Sequence, residues 1–344
     1  MRYVVDNCGY KAIFDERNGY MLRVGENGKE PFWKENGPEL LDVSITNYCE
    51  RGCDFCYRGS NKNGKFMSLE VYEKILENAE KAGVFQIAIG GGNPNQHPFF
   101  IEILKMTREY GIIPSYTTNG QGMTKEIYEA SKKYVGAVAV SWYSPYDDAK
   151  KVVENCHLYG IPVNIHFVLD AENIGEAREL LKNECIENVN AVIFLSYKPV
   201  GKVKRKILKK GTELDEFIDE LLRYERCQIG FDSCMISHLV EKNELINLSS
   251  IDYCEAGRFS AFISEEGNMY PCSFMCGAGI KGYNILNEEI EDIWRTAKEF
   301  VDIRDAINWR KGKCMECNLY SLCHGGCPEF DINCKRKEVI NNGI

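Results

Sequence analysis

The sequence predicts an α/β fold in which a parallel sheet carries most of the chain and a small cysteine-rich region follows. From residue 39 to about 200, short apolar runs typical of strands alternate with longer amphipathic runs typical of helices. Alternating βα units give a parallel sheet with right-handed crossovers. This pattern alone fits both an open doubly wound sheet and an incomplete barrel. The second observation is the cysteine content: three cysteines follow the first strand, and eight lie between residues 254 and 334.

Six strands are expected in the parallel region, with amphipathic helices between them. The expected strands are Leu40–Thr46, Phe85–Ile89, Ile112–Thr117, Gly136–Trp142, Pro162–Leu169 and Ala191–Ser196. The expected helices are Ser68–Ala82, Pro98–Tyr110, Lys125–Tyr134, Asp147–Tyr159 and Gly175–Asn183. Ser68 is the expected N-cap of the first helix, because a serine hydroxyl can accept a hydrogen bond from a free backbone N–H of the first turn.

Two further segments flank this region. Residues 10–14 and 20–24 alternate weakly around Asn18-Gly19, a dipeptide typical of a hairpin turn. Residues 212–245 indicate a helix, a short strand and a second helix. The chain is therefore divided into an N-terminal β-hairpin preface (residues 1–38), a core (39–211), a bridging region (212–249) and a cysteine-rich domain (250–344).

The composition is that of a globular protein, with 44% hydrophobic and 27% charged residues. A net charge of −9 argues against a general nucleic-acid binder. There is no run of about 18 apolar residues and no N-terminal secretory segment, so we expect neither a membrane span nor export. Sixteen cysteines in such a chain indicate metal binding rather than disulfides, and therefore a cytoplasmic metalloprotein.

The first cysteine group lies on the loop that follows the first strand. Cys49, Cys53 and Cys56 are spaced so that three thiolates can hold three irons of a 4Fe–4S cluster and leave the fourth iron open. An open position is what a catalytic metal centre needs. The alternative is a zinc knuckle, which wants a fourth ligand nearby, and the next histidine in the sequence is His97. The loop follows the C-terminal end of a strand, which is where α/β barrels carry their chemistry.

This cysteine spacing, with Phe55 directly before the last cysteine, resembles the signature of the radical S-adenosylmethionine (SAM) superfamily. In that family the amino and carboxylate groups of SAM bind the open iron. The resemblance implies a partial (β/α)6 TIM-like barrel. It also implies that reductive cleavage of SAM yields a 5′-deoxyadenosyl radical, which abstracts a hydrogen atom from the substrate.

The resemblance also implies residues that bind SAM. Gly91-Gly92-Asn93-Pro94 is similar to the Gly-Gly-Glu-Pro motif that binds the SAM amino group, with Asn93 in place of the usual glutamate. An amide oxygen still accepts a hydrogen bond from an ammonium group, but the charge pairing is lost. The implied SAM-binding set is Phe55, Gly91, Gly92, Asn93, Asn119, Ser141 and Leu195. His166 is a further candidate, because it shares one face of the fifth strand with Asn164 and that face can point into the barrel. For His166, plain polar packing inside the barrel is an equal alternative.

The C-terminal cysteines match the spacing of the seven-cysteine SPASM extension of radical SAM enzymes. The resemblance implies two auxiliary 4Fe–4S clusters, the inner one held by Cys254, Cys272 and Cys327, and the terminal one held by Cys314, Cys317, Cys323 and Cys334. We expect Cys234 as the eighth ligand, with Cys276 or an open position as the alternatives. A double zinc site is the alternative chemistry.

SPASM enzymes mostly act on peptides or proteins, so the resemblance implies a radical enzyme that installs a crosslink or an oxidised side chain in a ribosomally made peptide. It also implies an electron donor such as flavodoxin or ferredoxin. The hairpin preface is too short for a winged-helix leader-binding domain, so a separate leader-peptide-binding protein is expected as a partner, unless the enzyme recognises its substrate directly. No residue is singled out as a catalytic acid or base.

Several other functions stay open at this stage. Within radical SAM chemistry they are peptide epimerisation, formylglycine formation in a sulfatase, and a reaction on a small molecule. The alternatives that are not enzymes are an Fe–S electron carrier and a zinc-bound scaffold.

Overall fold

A computed structural model describes residues 2–5, 9–17, 19–25, 28–209, 211–242, 244–247, 251–309, 314 and 316–330. Two residues named above, Asn18 of the predicted hairpin turn and the predicted cluster ligand Cys334, lie outside the described residues.

The described residues form two sheets and ten α-helices. The strands are β1 (Arg2–Val5), β2 (Lys11–Phe14), β3 (Met21–Val24), β4 (Leu40–Thr46), β5 (Gln86–Gly91), β6 (Ile113–Thr118), β7 (Val138–Ser141), β8 (Val163–Leu169), β9 (Ala191–Ser196), β10 (Gln228–Phe231), β11 (Ser260–Ile263), β12 (Asn268–Tyr270) and β13 (Tyr283–Asn284). The helices are α1 (Leu69–Lys81), α2 (Phe100–Glu109), α3 (Lys125–Tyr134), α4 (Asp147–Tyr159), α5 (Ile174–Lys182), α6 (Thr212–Leu222), α7 (Ile236–Leu239), α8 (Ile290–Thr296), α9 (Lys298–Asn308) and α10 (Tyr320–Cys323).

The large sheet has ten strands in the order β10-β9-β8-β7-β6-β5-β4-β11-β12-β13. Strands β4 to β10 pair in parallel with their sequence neighbours, and β11 pairs in parallel with β4. Strands β12 and β13 then continue the sheet in antiparallel fashion. The predicted α/β fold with a partial barrel and a small C-terminal cysteine-rich part is confirmed.

The six predicted strands and five predicted helices are all present, with ends shifted by at most two residues. The N-cap prediction also holds, because Ser68 Oγ accepts a hydrogen bond from the Val71 backbone N–H at 3.3 Å. Four strands of the large sheet, β10 to β13, were not expected there. Strand β10 comes from the predicted bridging region and pairs with β9, and β11 comes from the cysteine-rich region and pairs with β4. The division of the chain at residues 38, 211 and 249 stays a prediction.

The core lies between the outer face of the parallel sheet and the helices. Strand β8 shows the pattern: Val163, Ile165, Phe167 and Leu169 are buried, while the side chains between them point to the other face. Burying each such side chain stabilises the fold by about 1.5–3 kcal/mol before the entropy of ordering is subtracted. The inner face carries most of the polar and small residues of the strands, and this face holds the site described below.

The N-terminal strands form a separate three-stranded antiparallel sheet. Strands β2 and β3 make the predicted hairpin, and β1 adds a third strand. Phe14 packs against Phe85 with ring centroids 5.3 Å apart, and Arg23 forms ion pairs with Glu39 and Glu255. The small sheet is therefore fixed both to the strand region and to the C-terminal region. Among the described residues, no helix has the length and apolar character needed to cross a membrane.

Candidate active site

A cavity of about 460 Å³ opens at the C-terminal ends of the parallel strands. It is lined by strand ends from β4 to β9, by the cysteine loop, and by Phe262, Ser273 and Phe274 of the C-terminal region. The predicted site residues on its wall are Cys49, Cys53, Cys56, Phe55, Gly91, Gly92, Asn119, Ser141, His166 and Leu195. The structure therefore gathers residues from six separate segments of the sequence at one place.

The cysteine loop presents its three thiols to this cavity. Cys49 is buried, Cys53 and Cys56 are half-buried, and none of the three is in a disulfide. Asn119 Nδ2 donates a hydrogen bond to Cys49 Sγ at 3.4 Å. Burial raises the pKa of the Cys53 thiol, and a hydrogen bond with the Tyr143 hydroxyl opposes that rise. Two of the three sulfur atoms thus have a polar side chain as a hydrogen-bond neighbour.

Cation–aromatic contacts hold the outer side of the loop. Arg51 lies over the Tyr143 ring at 4.4 Å and donates to the carbonyl oxygens of residues 143, 144 and 145. Phe55 packs edge-on against Tyr143 with centroids 5.4 Å apart, and Arg205 lies 4.1 Å from the Phe55 ring centroid. Arg205 also pairs with Asp170 at 3.1 Å. Such contacts are worth about 0.5–2 kcal/mol each, so the loop is positioned before any cofactor binds.

Gly91, the last residue of β5, and Gly92, directly after it, are required by close backbone packing. A Cβ on Gly92 would lie 1.9 Å from the Tyr48 carbonyl oxygen, and a Cβ on Gly91 would lie 2.0 Å from the Thr46 oxygen. Gly91 also has a φ of +119°, which disfavours any side chain. The Gly92 N–H donates to the Thr46 oxygen at 2.6 Å. These two glycines therefore bring the end of β5 against the chain that enters the cysteine loop.

Asn93 does not line the cavity. It is fully buried, and its Oδ1 accepts hydrogen bonds from the Asn119 backbone N–H at 3.0 Å and from Thr118 Oγ1 at 3.2 Å. Its Nδ2 donates to the Gln121 carbonyl oxygen at 2.8 Å. Since both ends of the amide are used by the turn at residues 118–121, Asn93 supports Asn119, which in turn reaches Cys49. The direct contact with SAM expected for Asn93 stays a prediction.

Ser141 and His166 are register neighbours on β7 and β8 and both line the cavity. Burial lowers the pKa of His166 to about 4, so its imidazole is neutral at pH 7. A neutral imidazole on a cavity wall can exchange hydrogen bonds with a ligand but carries no charge. Leu195, on β9, adds an apolar patch nearby.

Sequence reasoning missed several residues of the cavity wall. The most prominent are Lys198 and Asp232, which form an ion pair with 2.6 Å between Nζ and Oδ2. Asp42 also lines the cavity, and burial raises its pKa to about 6. Asp42 alternates with the apolar residues of β4, so its position in a predicted inner face was a usable signal. For Asp232 there was none, because the strand before it was not assigned to the sheet.

The C-terminal cysteines form a second group behind the cavity wall. Burial raises the pKa of Cys254 to about 12, and the nearby thiols of Cys272 and Cys327 add to that rise. Cys234 shares a hydrogen bond with Cys327, which lowers the pKa of Cys327 to about 6. Cys276 instead hydrogen-bonds with Tyr270 and Arg58. The structure thus brings together the four residues predicted for the inner auxiliary cluster.

The residues predicted for the terminal auxiliary cluster lie close together along the chain. Cys314 and Cys317 share a turn, with the Cys317 N–H donating to the Cys314 oxygen at 3.1 Å, and Cys323 ends helix α10. The fourth predicted ligand, Cys334, is outside the described residues.

Comparison with protein families matches residues 43–183 to the Radical SAM superfamily and residues 254–327 to SPASM, an iron-sulfur cluster-binding domain. The chain belongs to the radical SAM superfamily and carries a SPASM domain. It is therefore an enzyme of the class predicted from its cysteine spacing. Radical SAM proteins with SPASM domains use a SAM-binding 4Fe–4S cluster, SAM itself and auxiliary 4Fe–4S clusters.

Individual relatives are distant. The chain is 24% identical over 314 residues to the mycofactocin maturase MftC of Mycobacterium tuberculosis, covering 85% of this chain and 78% of that protein. It is 26% identical to the 7,8-dihydro-6-hydroxymethylpterin dimethyltransferase of Methanocaldococcus jannaschii, covering 78% and 60% of the two chains. Streptococcus suis SuiB bound to its precursor peptide SuiA superposes with a TM-score of 0.71 at 22% identity, covering 87% and 76%. This last likeness shows that the radical SAM enzyme shares the SuiB fold.

The residues on the cavity wall fit the cofactors of this family. Three thiols on one loop match a cluster with an open iron. The volume lies within the range of about 300–1,000 Å³ found for small-molecule sites. At Gly91 and Gly92 the cavity wall consists of backbone alone, with no side chain to occupy the space. The assignment of particular cysteines to particular clusters stays a prediction.

Proposed function

We propose that this radical SAM enzyme modifies a ribosomally made peptide by forming a crosslink or oxidising a side chain. The observation that carries the proposal is one cavity lined on one side by the cysteine loop and on the other by Ser273 and Phe274, which directly follow Cys272. Tyr57, directly after Cys56, packs against Phe274, two residues after Cys272, with ring centroids 4.5 Å apart. Both rings line the cavity. A substrate bound here lies between the cysteine loop and the SPASM cysteines.

In this proposal Cys49, Cys53 and Cys56 hold the SAM-binding cluster. The bound cluster and SAM supply a 5′-deoxyadenosyl radical, and the chain supplies binding, orientation and exclusion of water. The proposed SAM contacts are Phe55, Gly91, Gly92, Asn119, Ser141, His166 and Leu195. Asn93 is proposed to act through Asn119, because its side-chain oxygen accepts a hydrogen bond from the Asn119 backbone N–H.

Cys234, Cys254, Cys272 and Cys327 are the proposed ligands of the inner auxiliary cluster. The hydrogen bond between Cys234 and Cys327 favours Cys234 as the ligand outside the SPASM motif. Cys276 is a weaker candidate, since its thiol is engaged by Arg58 and Tyr270. The proposed terminal ligands are Cys314, Cys317, Cys323 and Cys334.

The peptide substrate is supported by what similar proteins are named for. MftC is a maturase, and SuiB was crystallised with a precursor peptide. We propose two further partners. A low-potential electron donor such as flavodoxin or ferredoxin reduces the SAM-binding cluster, and a separate leader-binding protein presents the peptide. The high content of clustered cysteines supports a cytoplasmic location, where thiols stay reduced.

A reaction on a small molecule is the second candidate. It is favoured by the similarity to the pterin dimethyltransferase, which covers 78% of this chain. If the substrate is a peptide, we expect it to extend out of the mouth of the cavity. A small molecule would be enclosed by the cavity. Truncated substrates distinguish the two, because a peptide loses binding energy when its remote residues are removed.

The test uses protein reconstituted anaerobically with iron and sulfide, then incubated with SAM, dithionite and short peptides encoded beside its gene. We expect about twelve irons per chain, formation of 5′-deoxyadenosine and a peptide that has lost two hydrogens by mass spectrometry. The matched control replaces Cys49, Cys53 and Cys56 with alanine, which should abolish cleavage and leave about eight irons.

Other outcomes select other functions. An unchanged peptide mass with one deuterium from heavy water indicates epimerisation, and an aldehyde at a cysteine or serine indicates formylglycine formation. Bound clusters without SAM cleavage would indicate an electron carrier, and zinc in place of iron would overturn the proposal.

A further inference from the structure

A buried ion pair separates the cavity from the SPASM cysteines. Lys198 follows strand β9 and Asp232 follows β10, and these strands pair in parallel with Phe194 opposite Phe231. Lys198 Nζ lies 2.6 Å from Asp232 Oδ2, and their side chains are only 4% and 18% exposed. The Ser196 backbone N–H donates to the same carboxylate oxygen at 3.1 Å. The topology of the sheet therefore places one positive and one negative charge side by side at its inner edge.

Lys198 also contacts the second group of cysteines. Its ammonium group hydrogen-bonds to the Cys234 thiol, and it lies 5.0 Å from the Phe274 ring centroid, close in sequence to Cys272. Both Lys198 and Asp232 line the cavity. The pair thus has the substrate space on one side and a proposed ligand of the inner auxiliary cluster on the other.

Stability is a weak explanation for this arrangement. Removing two charges from water costs free energy that their mutual attraction only partly returns, and apolar replacements of buried pairs are often as stable. The Oδ1 atom of Asp232 and the Ser196 hydroxyl are also buried without a hydrogen-bond partner. Buried polar groups without a partner are few in native structures, and a redox or catalytic role is one of the explanations for them.

We propose that Lys198 is a positioning residue that raises the reduction potential of the inner auxiliary cluster by donating a charged hydrogen bond to Cys234. The reduced cluster carries one more negative charge than the oxidised cluster. A cation beside a thiolate ligand stabilises the more negative state, and hydrogen bonds to cluster sulfurs act in the same direction. Asp232 opposes part of this effect, because its carboxylate lies against the same ammonium group.

The inference rests on the proposed function in one respect, the assignment of Cys234 as a cluster ligand. It goes beyond that proposal because it assigns the cavity wall an electrostatic role in tuning a cluster. It also predicts effects of opposite sign for the two members of one ion pair. A purely structural pair would give no such sign pattern.

The test is an anaerobic redox titration followed by electron paramagnetic resonance. The full chain carries alanine at Cys49, Cys53 and Cys56, so that only auxiliary clusters give signals. Cys234→Ser in this background identifies the signal of the inner cluster. Lys198→Met should shift the midpoint potential of that signal to a more negative value, and Asp232→Asn should shift it to a more positive value.

Two further variants keep the test sound if Lys198→Met folds poorly with Asp232 left unpaired. The double variant Lys198→Met/Asp232→Asn should lie more negative than Asp232→Asn alone, since the two differ only by the ammonium group. Lys198→Arg should retain the potential of the parent, because the charge is kept. The matched control is Lys202→Gln, which removes an equal charge from an exposed position four residues away.

The outcomes separate the two proposals. If Cys234→Ser leaves both auxiliary signals unchanged, the ligand assignment fails. If Cys234→Ser alters one signal but the Lys198 and Asp232 variants leave its potential equal to that of Lys202→Gln, the ligand assignment stands and the inference is overturned.

Discussion

The close contact between Gly92 and Tyr48 provides a sharp test of how the cysteine loop is positioned. In Gly92→Ala the new Cβ would lie 1.9 Å from the Tyr48 carbonyl oxygen, whereas ordinary contacts begin at 3.4 Å. The two chain segments must therefore move apart by roughly 1.5 Å. Two hydrogen bonds join them, Gly92 N–H to the Thr46 oxygen at 2.6 Å and Asn93 N–H to the Tyr48 oxygen at 2.9 Å. Separation on this scale breaks both.

The expected cost follows from these contacts. Each lost hydrogen bond costs about 0.5–1.5 kcal/mol, and forced overpacking costs about 1–3 kcal/mol. The free energy of unfolding should fall by about 3 kcal/mol or more, which for a chain of this size lowers the melting temperature by about 4 °C or more. Because Tyr48 precedes Cys49, the same movement displaces a ligand of the SAM-binding cluster. Reconstituted iron should fall from about twelve to about eight atoms per chain.

The assay compares thermal unfolding by circular dichroism, and iron content after anaerobic reconstitution, in the absence of SAM. Gly90→Ala is the matched control, because a Cβ at Gly90 meets nothing within 4 Å. The backbone at Gly92 is not left-handed, whereas the backbone at Gly91 is. Gly92→Ala therefore tests the close packing without added backbone strain. If Gly92→Ala and Gly90→Ala melt together and bind equal iron, the close packing inferred between these segments is wrong.

Three further predictions concern single side chains. Asn93→Ala removes the acceptor for the Asn119 N–H, so we expect a loss of about 1–3 kcal/mol in unfolding free energy and weaker SAM binding by equilibrium dialysis; unchanged SAM affinity would contradict its supporting role. Cys234→Ser should lower iron to about eight atoms per chain, while Cys276→Ser should leave about twelve, and the reverse pattern would exchange the two assignments. Burial raises the pKa of Asp42 from 3.8 to about 6, so the folded state holds a proton that the unfolded chain has released between those values. Stability of the apoprotein should therefore fall by at most about 3 kcal/mol as pH rises from 4 to 6, and urea unfolding of Asp42→Asn should lack that slope.

The local pattern of apolar and polar residues was enough to predict the central strands and helices. Each strand from β4 to β9 is buried on one face along most of its length, and each helix has an apolar face, so periodicity alone locates them. Strand β10 is only four residues long and half-exposed, and it pairs with β9 through residues 37 positions away, such as Gln228 opposite Ala191. The pairing of β11 with β4 joins residues more than 200 positions apart, which no local signal encodes.

The site was predictable where spacing carries the chemistry and not where tertiary contacts decide. Cys49, Cys53 and Cys56 are fixed by sequence interval, and the cavity receives all three. Asn93 was expected to contact SAM because of its place in the Gly91-Gly92-Asn93-Pro94 motif. In the structure its side-chain amide hydrogen-bonds to the backbone of the turn at Asn119. Lys198 became visible only when β9 and β10 were placed side by side, because its partner lies 34 residues further along the chain.

The pairing of β11 with β4 makes the SPASM region inseparable from the barrel. One ladder of backbone hydrogen bonds runs from the strand that leads into the cysteine loop to the strand that follows Cys254. The spacing between the two groups of cysteines is thus set by strand geometry, with neighbouring strands about 4.8 Å apart, and not by a linker of adjustable length. Electron tunnelling between them would therefore occur over a distance built into the sheet. Removing the C-terminal region would also leave β4 as an unpaired edge strand, so the partial barrel would lose β11 to β13 together with its auxiliary cofactors.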